Sequence, residues 1–205
     1  LKAPNAQASD SFGGSVGISG NTIVVGASNE SSNQTTVTNG ATVADNNAES
    51  RAGAVYVFVR STGNNAWTHQ AYLKAPNPQA GDEFGRDVAI SGDTIVVGAG
   101  REDSIQTAIT QGTGASTDNS AVDAGAAYVF VRNTGDNSWS QQAYLKAPNA
   151  GPADLFARLV AISGRTVLVG AVGEASNQNT VTNGGTASAD NSATQAGAAY
   201  VFVRN

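Results

Sequence analysis

The stretch SFGGSVGISGNTIVVGAS (residues 11–28) decides the fold, because the chain contains it three times. It returns as EFGRDVAISGDTIVVGAG at 83–100 and as LFARLVAISGRTVLVGAV at 155–172. In every copy two short apolar runs are joined by a two-residue link that begins with glycine: Gly20-Asn21, Gly92-Asp93 and Gly164-Arg165. A glycine-first link of this length favours a type II′ turn. The stretch therefore predicts a β-hairpin that the chain builds three times.

The repetition extends over the whole chain. LKAPN occurs at residues 1–5, 73–77 and 145–149, which sets a period of 72 residues without insertion or deletion. We therefore interpret the 205-residue chain as a single array of three repeats, at 1–72, 73–144 and 145–205. The third repeat is expected to be incomplete, since it is truncated after its third strand.

Four strands are predicted in each repeat. In the first copy they are residues 12–19, 22–27, 53–60 and 66–75, and the fourth runs into the second copy. Both alternating sets of side chains in AVYVFV (54–59) are apolar, which is typical of a strand covered on both faces. Four antiparallel strands per repeat, packed face to face, define a blade of a β-propeller. The expected fold class is all-β, with β-propeller-type blades.

Composition excludes several kinds of function. The chain has no Cys, a net charge of −5 and a pI near 4.7. Disulfides and zinc–thiolate sites are therefore excluded, and nucleic acid is not an expected partner. No apolar run is long enough to predict membrane insertion. The only histidine, His69, is predicted to lie exposed on an outer strand. With one His and no Cys, we expect no enzyme.

The repeated residues resemble the FG-GAP repeats of integrin α-subunit propellers and of secreted bacterial proteins. FG stands at 12–13 and 84–85, and VVGA or LVGA stands at 24–27, 96–99 and 168–171. The resemblance implies a propeller with strand one innermost and an extracellular or cell-surface role in adhesion or scaffolding. The third copy departs from the pattern, because it has Phe156-Ala157 in place of FG.

Calcium is the one cofactor that the resemblance brings into question. In the family an Asp-rich loop between strands one and two holds the ion, and here that position is a two-residue turn. A turn of this length cannot present the six to eight oxygen ligands that Ca²⁺ takes. We therefore expect no cofactor, and the calcium sites of the family are not carried over to this chain.

Acidic residues recur in the long connection between strands two and three, and two interpretations stay open. They cap turns and pair with Arg or backbone N–H groups, or they form one metal site per long loop. The candidates are Glu30, Asp45 and Asn46 in the first copy, Glu102 and Asp118 in the second, and Glu174 and Asp190 in the third. A further acidic position, Asp10, Asp82 and Asp154, precedes each hairpin.

Two other kinds of binding residue stand out. Trp67 and Trp139 begin the outermost strands, where they either stack on a sugar or pack between blades. Asn29 and Asn33 lie in N-x-[ST] sequons and are candidate glycosylation sites on a secreted chain. The sequons do not recur, so chance matches in an Asn-rich loop are the alternative.

The two ends of the array are complementary. Leu1, Lys2 and Ala3 are the remnant of a fourth strand, and Tyr200, Phe202 and Arg204 lie on a third strand that nothing covers. An uncovered strand edge pairs readily, so we expect self-association into a closed ring or a filament, unless the chain is a segment of a longer array. The predicted function is structural or adhesive. A carbohydrate- or protein-binding module is the first alternative, and an enzyme is a distant second.

Overall fold

The computed structural model describes residues 1–204, and within them it contains strands and no helix. The strands are β1 Ser15–Ser19, β2 Thr22–Ala27, β3 Thr38–Asn39, β4 Ala54–Arg60, β5 Trp67–Leu73, β6 Asp87–Ser91, β7 Thr94–Ala99, β8 Thr110–Gln111, β9 Ala126–Arg132, β10 Trp139–Leu145, β11 Phe156–Ser163, β12 Thr166–Ala171 and β13 Ala198–Val203.

Each repeat forms one antiparallel sheet, which we call a blade. Blade 1 has the strand order β1-β2-β4-β5-β3, blade 2 the order β6-β7-β9-β10-β8, and blade 3 the order β11-β12-β13. The predicted all-β fold of three repeated antiparallel sheets is confirmed. The three blades form an open array and not a closed ring, and blade 3 has no fourth strand within the described residues.

The strand bounds differ from the prediction at two places. Strand one was expected from residue 12, but β1 begins at Ser15 because Ser11 to Gly14 form a tight turn, closed by the Gly14 amide on the Ser11 carbonyl at 3.0 Å. The long connection was expected to hold no strand, yet β3 pairs with β5 and β8 with β10. A two-residue strand carries too little periodicity to be read from sequence.

The hairpins follow the predicted turn chemistry. Gly20, Gly92 and Gly164 have φ of 55° to 57°, in the left-handed region, and the residue after each glycine does not. A left-handed first position is what a type II′ turn requires, and glycine adopts it without a steric penalty.

The core lies between the blades, and β4 shows why both its faces are apolar. Val55 and Val57 point toward blade 2, where they join a buried cluster with Phe84 and Ile95. The alternate residues Tyr56 and Phe58 point to the opposite face of blade 1. This confirms that the strand is covered on both faces. A second interblade cluster, between blades 2 and 3, contains Val96, Val129, Phe156, Val167 and Val169.

Glycine permits the close approach of neighbouring blades. A Cβ placed on Gly98 would lie 2.0 Å from the backbone oxygen of Ala157 in blade 3. Gly26 faces the backbone oxygen of Gly85 in the same way, at 2.1 Å. Since no side chain fits in that space, the Gly of the repeated VVGA motif is a packing requirement. Its counterpart in blade 3, Gly170, has no such neighbour, and a Cβ there would meet its nearest heavy atom at 3.7 Å.

Candidate functional site

A buried ion pair recurs at the outer edge of the blades. In blade 1 the Lys74 ammonium donates to Glu30 Oε2 at 3.0 Å and to the Gly53 carbonyl at 2.6 Å. In blade 2 Lys146 donates to Glu102 Oε2 at 2.9 Å and to the Gly125 carbonyl at 2.6 Å. The lysine lies directly after the fourth strand, and the glutamate follows the second. Each pair therefore joins the outer strand of a blade to its inner half.

Further donors hold the carboxylates: Asn5 and the Ser32 amide donate to Glu30, while the buried Tyr72 hydroxyl has no partner within residues 1–204, and the set on Glu102 is larger. Glu102 accepts from the Ser104 amide, from the Asn77 side chain at 3.1 Å and from the Tyr144 hydroxyl at 2.8 Å. Burial lowers the pKa of Lys146, and the charge of Glu102 opposes that shift. Burial and the negative charge of Glu102 raise the pKa of Tyr144, so the hydroxyl stays protonated and donates.

Blade 3 retains the carboxylate of this cluster, and the repeat position of the matching lysine falls after residue 205. Glu174 is only 2% exposed, and it accepts from Asn149 at 2.9 Å and from Ser176 at 3.1 Å. Within residues 1–204 no Lys or Arg forms an ion pair with it. A buried carboxylate without a cation is costly, because the desolvation of the charge is not compensated. Of this cluster, the described residues supply Glu174, Asn149 and Ser176 at blade 3.

Beside Glu174 lies a groove of about 890 Å³, at the position that the fourth strand occupies in blades 1 and 2. One wall is β13, with Tyr200 and Phe202 among the lining residues, and the other is the loop containing Thr182 and Asn183. These two loop residues correspond to β3 and β8, which pair with the outer strands of blades 1 and 2. The groove is therefore bounded by strand-pairing backbone on both sides. We call it the strand slot.

The free face of blade 3 is apolar. Its exposed residues are Leu159 (59% exposed), Leu168 (44%), Val201 (62%) and Val203 (67%). At the other end of the array, Val16 and Ile18 of blade 1 are each 65% exposed. In the interior of the array, a face of each type is buried against the other. Exposed apolar surface of this kind marks an interaction surface.

The structure assigns a different role to the side chains predicted at the free end. Tyr200 and Phe202 pack against the cluster between blades 2 and 3, and Arg204 donates to Gln142 at 2.8 Å and also contacts Thr94. Alternate residues of a strand point to opposite faces, so Val201 and Val203 form the free face instead. At the other end Leu1 and Lys2 are exposed, while Ala3 is buried.

The acidic loop residues accept backbone hydrogen bonds. Asp118 accepts from the Ile105 amide at 2.9 Å, Asp190 from Asn177 at 3.0 Å, and Asn46 from Asn33 at 3.2 Å. Asn46 is thus the counterpart of Asp118 and Asp190, whereas Asp45 bonds Gln7 at 2.7 Å. Hydrogen bonds from backbone amides lower the pKa of Asp118 and Asp190. No cluster of three or more metal-ligating His, Asp or Glu side chains occurs among the described residues.

The two tryptophans differ in their surroundings. Trp139 is 1% exposed, and its indole N–H donates to Gln70 of blade 1 at 2.9 Å, so it presents no face to a sugar. Its backbone N–H and C=O bond the side chain of Asn39, also in blade 1. Trp67, in the first of the three repeats, is half-buried, and the Arg60 guanidinium lies 5.8 Å from the centroid of its ring. Trp139 is therefore an interblade contact, which its distance of 69 residues from Gln70 concealed in the sequence.

Three further predicted residues lie as follows. The Asn29 side chain is engaged with Ser11 at 2.9 Å, while Asn33 is exposed. His69, expected on an exposed strand, is half-buried, and its ring packs 5.5 Å from that of Phe58. The exposed position was wrong because the ring turns toward the apolar face of blade 1, and burial lowers its pKa.

Asp82 gives the blades a pH dependence. Its carboxylate accepts from the Gln79 amide at 3.0 Å, but burial, reinforced by the charge of Glu102, raises its pKa to about 8. The folded state therefore holds a proton that the unfolded chain has lost above its ordinary pKa of 3.8. The stabilisation from this proton is complete below a pH of 3.8, and it is lost as the pH rises toward 8.

We expect Asp82→Asn to remove this dependence, because an amide keeps the acceptor oxygen and cannot ionise. Denaturant unfolding at pH 5 and pH 9 should show the variant gaining more than about 1 kcal/mol on the parent chain at the higher pH. Asp118→Asn, at an exposed position, is the matched control and should gain nothing. An identical pH profile for Asp82→Asn and the parent would contradict the assignment.

Comparison with known families agrees with the geometry. The FG-GAP repeat model matches residues 1–58, 67–130 and 139–202, one match for each blade. The chain belongs to the FG-GAP repeat family, a class of β-propeller-like adhesive or binding modules typical of extracellular or surface proteins. None of the curated proteins compared with the chain matches it. No helix in the described part of the chain is long and apolar enough to cross a membrane.

Proposed function

We propose that the chain is an extracellular structural or adhesive module whose copies join end to end, the free face of blade 3 against the free face of blade 1, into a closed ring or a filament. The proposal assigns it no catalytic activity and no cofactor. Contact between two different faces of the same molecule is heterologous, and such contacts generate rings when the rotation closes and filaments when it does not.

Gly170 is the observation that carries the proposal. Nothing in the described chain requires glycine there, since a side-chain carbon would find ordinary contact distances and its φ is not left-handed. Glycine within a strand marks a place where another backbone approaches closely. At Gly26 and Gly98 that backbone is residue 85 or 157 of the following blade. The corresponding residue of a second copy is Gly13.

Some residues that contact each other between adjacent blades have counterparts at the two ends of the array that make no such contact within one chain. Arg132 of blade 2 donates to Thr22 of blade 1 at 3.1 Å. The counterparts at the ends are Arg60 of the first described blade and Thr166 of the third, which is exposed. End-to-end contact would bring the two together, and would bring Trp67 to Asn183 as Trp139 meets Asn39.

We expect Gly170→Ala to abolish association while leaving the single chain folded and stable, because the added methyl meets only the incoming copy. Sedimentation velocity over a hundredfold range of concentration should show the parent chain growing in size and the variant remaining a monomer of 20.6 kDa. Gly63→Ala controls for the handling of a glycine variant, because its φ is not left-handed and an added methyl would meet its nearest heavy atom at 3.8 Å. A parent chain that stays monomeric at every concentration would contradict the proposal.

Binding of a glycan or a protein on the long-loop side is the alternative. Of the two tryptophans that could stack on a sugar, Trp139 is buried, so Trp67 is the remaining candidate.

A further inference from the structure

We infer that the buried cluster of blade 2 forms a covalent cross-link, an amide bond between the Lys146 amine and the side-chain carboxamide of Asn77. The bond closes the blade, because Asn77 lies before its first strand, β6, and Lys146 directly follows β10. The reaction runs once within each chain and adds no activity toward other molecules. It goes beyond the proposed function and does not depend on contact between copies.

One carboxylate holds both reacting groups. Glu102 accepts from the Lys146 ammonium through Oε2 at 2.9 Å and from the Asn77 side-chain nitrogen through Oε1 at 3.1 Å. A carboxylate in this position can take a proton from the ammonium and pass it to the amide nitrogen, which has to leave as ammonia. Glu102 thus serves as the base for the attacking amine and as the acid for the leaving group.

The carbonyl of Asn77 is polarised by a tyrosine. The Tyr128 hydroxyl donates to Asn77 Oδ1 at 2.8 Å. Negative charge develops on this oxygen when an amine adds to the carboxamide carbon, and a donor that already points at it stabilises that charge. Burial and the charge of Glu102 raise the pKa of Tyr128, so the hydroxyl keeps its proton. Asn77 is held in this orientation, because its nitrogen also donates to the Ser116 carbonyl at 2.6 Å.

The cluster is shielded from water, and this favours the reactive form of the lysine. The exposed fraction is 6% for Asn77, 2% for Glu102 and 1% for Lys146. Burial lowers the pKa of Lys146, although the charge of Glu102 opposes that shift. The neutral amine, and not the ammonium, is the nucleophile, so desolvation of the lysine activates it.

The reaction exchanges one carbon–nitrogen bond for another. The amine of Lys146 turns away from the Gly125 carbonyl, which it contacts at 2.6 Å, and comes within about 3–3.5 Å of Asn77 Cγ. It gives a proton to Glu102 and bonds to that carbon. The bond from Cγ to Nδ2 then breaks, and Glu102 passes the proton to the leaving nitrogen. An ammonium and a carboxamide thus become a secondary amide and an ammonium ion, without an oxidant or a cofactor.

A cross-link at this position constrains the chain as a disulfide would. The chain has no Cys, and a bond between residues 77 and 146 encloses all five strands of blade 2 in one covalent loop. Closing a long loop restricts the unfolded chain and so stabilises the folded one. Blade 1 contains the same groups, but Asn5 is half-buried and its side-chain nitrogen lies 3.4 Å from Glu30. The inference is therefore drawn for blade 2.

Intact-mass spectrometry of the folded parent chain at neutral pH, repeated as the protein ages, tests the inference. We expect the mass to fall below that of the sequence by one ammonia for each bond formed. A tryptic digest should then contain two peptides joined through Asn77 and Lys146, because trypsin does not cleave after an acylated lysine.

Two outcomes for the parent chain would overturn the inference. One is a chain that keeps the full mass of its sequence. The other is a loss of ammonia that the digest locates at Asn39-Gly40 or Asn183-Gly184, where an asparagine before glycine can cyclise onto its own backbone.

Two variants test the assigned roles. Lys146→Arg keeps a buried cation beside Glu102 but has no nucleophilic amine, and Glu102→Gln keeps an acceptor oxygen but removes the base, so neither should form the link. Lys74→Arg makes the matched change in blade 1 and should leave the link between residues 77 and 146 in place. Circular dichroism establishes that each variant is folded, and the digest of the parent chain decides the inference even where a variant is not. A link that still forms in folded Glu102→Gln would contradict the role of the carboxylate.

Discussion

Gly98→Ala is expected to destabilise the chain by about 3 kcal/mol or more, an effect typical of severe overpacking. The added methyl would lie 2.0 Å from the backbone oxygen of Ala157, and a backbone cannot rotate away as a long side chain can. To accommodate it, blades 2 and 3 must separate, which exposes part of the buried cluster containing Val96 and Phe156. Chemical denaturation followed by circular dichroism measures the loss.

Gly170→Ala supplies the matched control for that measurement, since it makes the same change in the same strand position of blade 3. No blade covers Gly170, so its effect on the stability of a single chain should stay below about 0.5 kcal/mol. Equal losses for the two variants would show that the intrinsic preference of the strand, and not blade contact, is what demands glycine.

Lys146→Met is the second substitution expected to lower the stability strongly. The change keeps the aliphatic stem but removes the ammonium, which leaves the carboxylate of Glu102 buried without a cation. Breaking a buried pair in this way typically costs about 3–5 kcal/mol. We expect the melting temperature to fall accordingly.

Combining Lys146→Met with Glu102→Gln separates the charge effect from packing. The double variant has no buried charge at this site, so it should recover a substantial part of the loss. A double variant less stable than Lys146→Met alone would indicate that Glu102 acts mainly through its bonds to Asn77 and Tyr144 and not through the lysine.

Most of the fold could be predicted from the repeat. Its fixed period, the glycine-first turns and the doubly apolar AVYVFV strand were enough to predict blades packed face to face. They did not tell which face of β13 would stay free, because both alternating sets are apolar. Tyr200 and Phe202 were assigned to the free end, whereas their side chains fill the space beside blade 2.

The candidate site was only partly readable from sequence. Lys74 and Glu30 both recur, but they lie 44 residues apart, and only the sheet order brings them together. The unpaired state of Glu174 follows from that contact, so it could not be seen before the lysine's partner was known. The match of Asn46, and not Asp45, with Asp118 was readable from the 72-residue period but was missed because charge was compared instead of position, and the shared backbone bond confirms it.

Sedimentation velocity of the parent chain beside Gly170→Ala tests the central claim most directly, since the account holds that the free face of blade 3 packs on the free face of blade 1 of a second copy. The account predicts that the parent chain grows in size with concentration and that the variant stays at 20.6 kDa. A parent chain that is monomeric at every concentration, or a variant that associates as the parent does, would contradict the account.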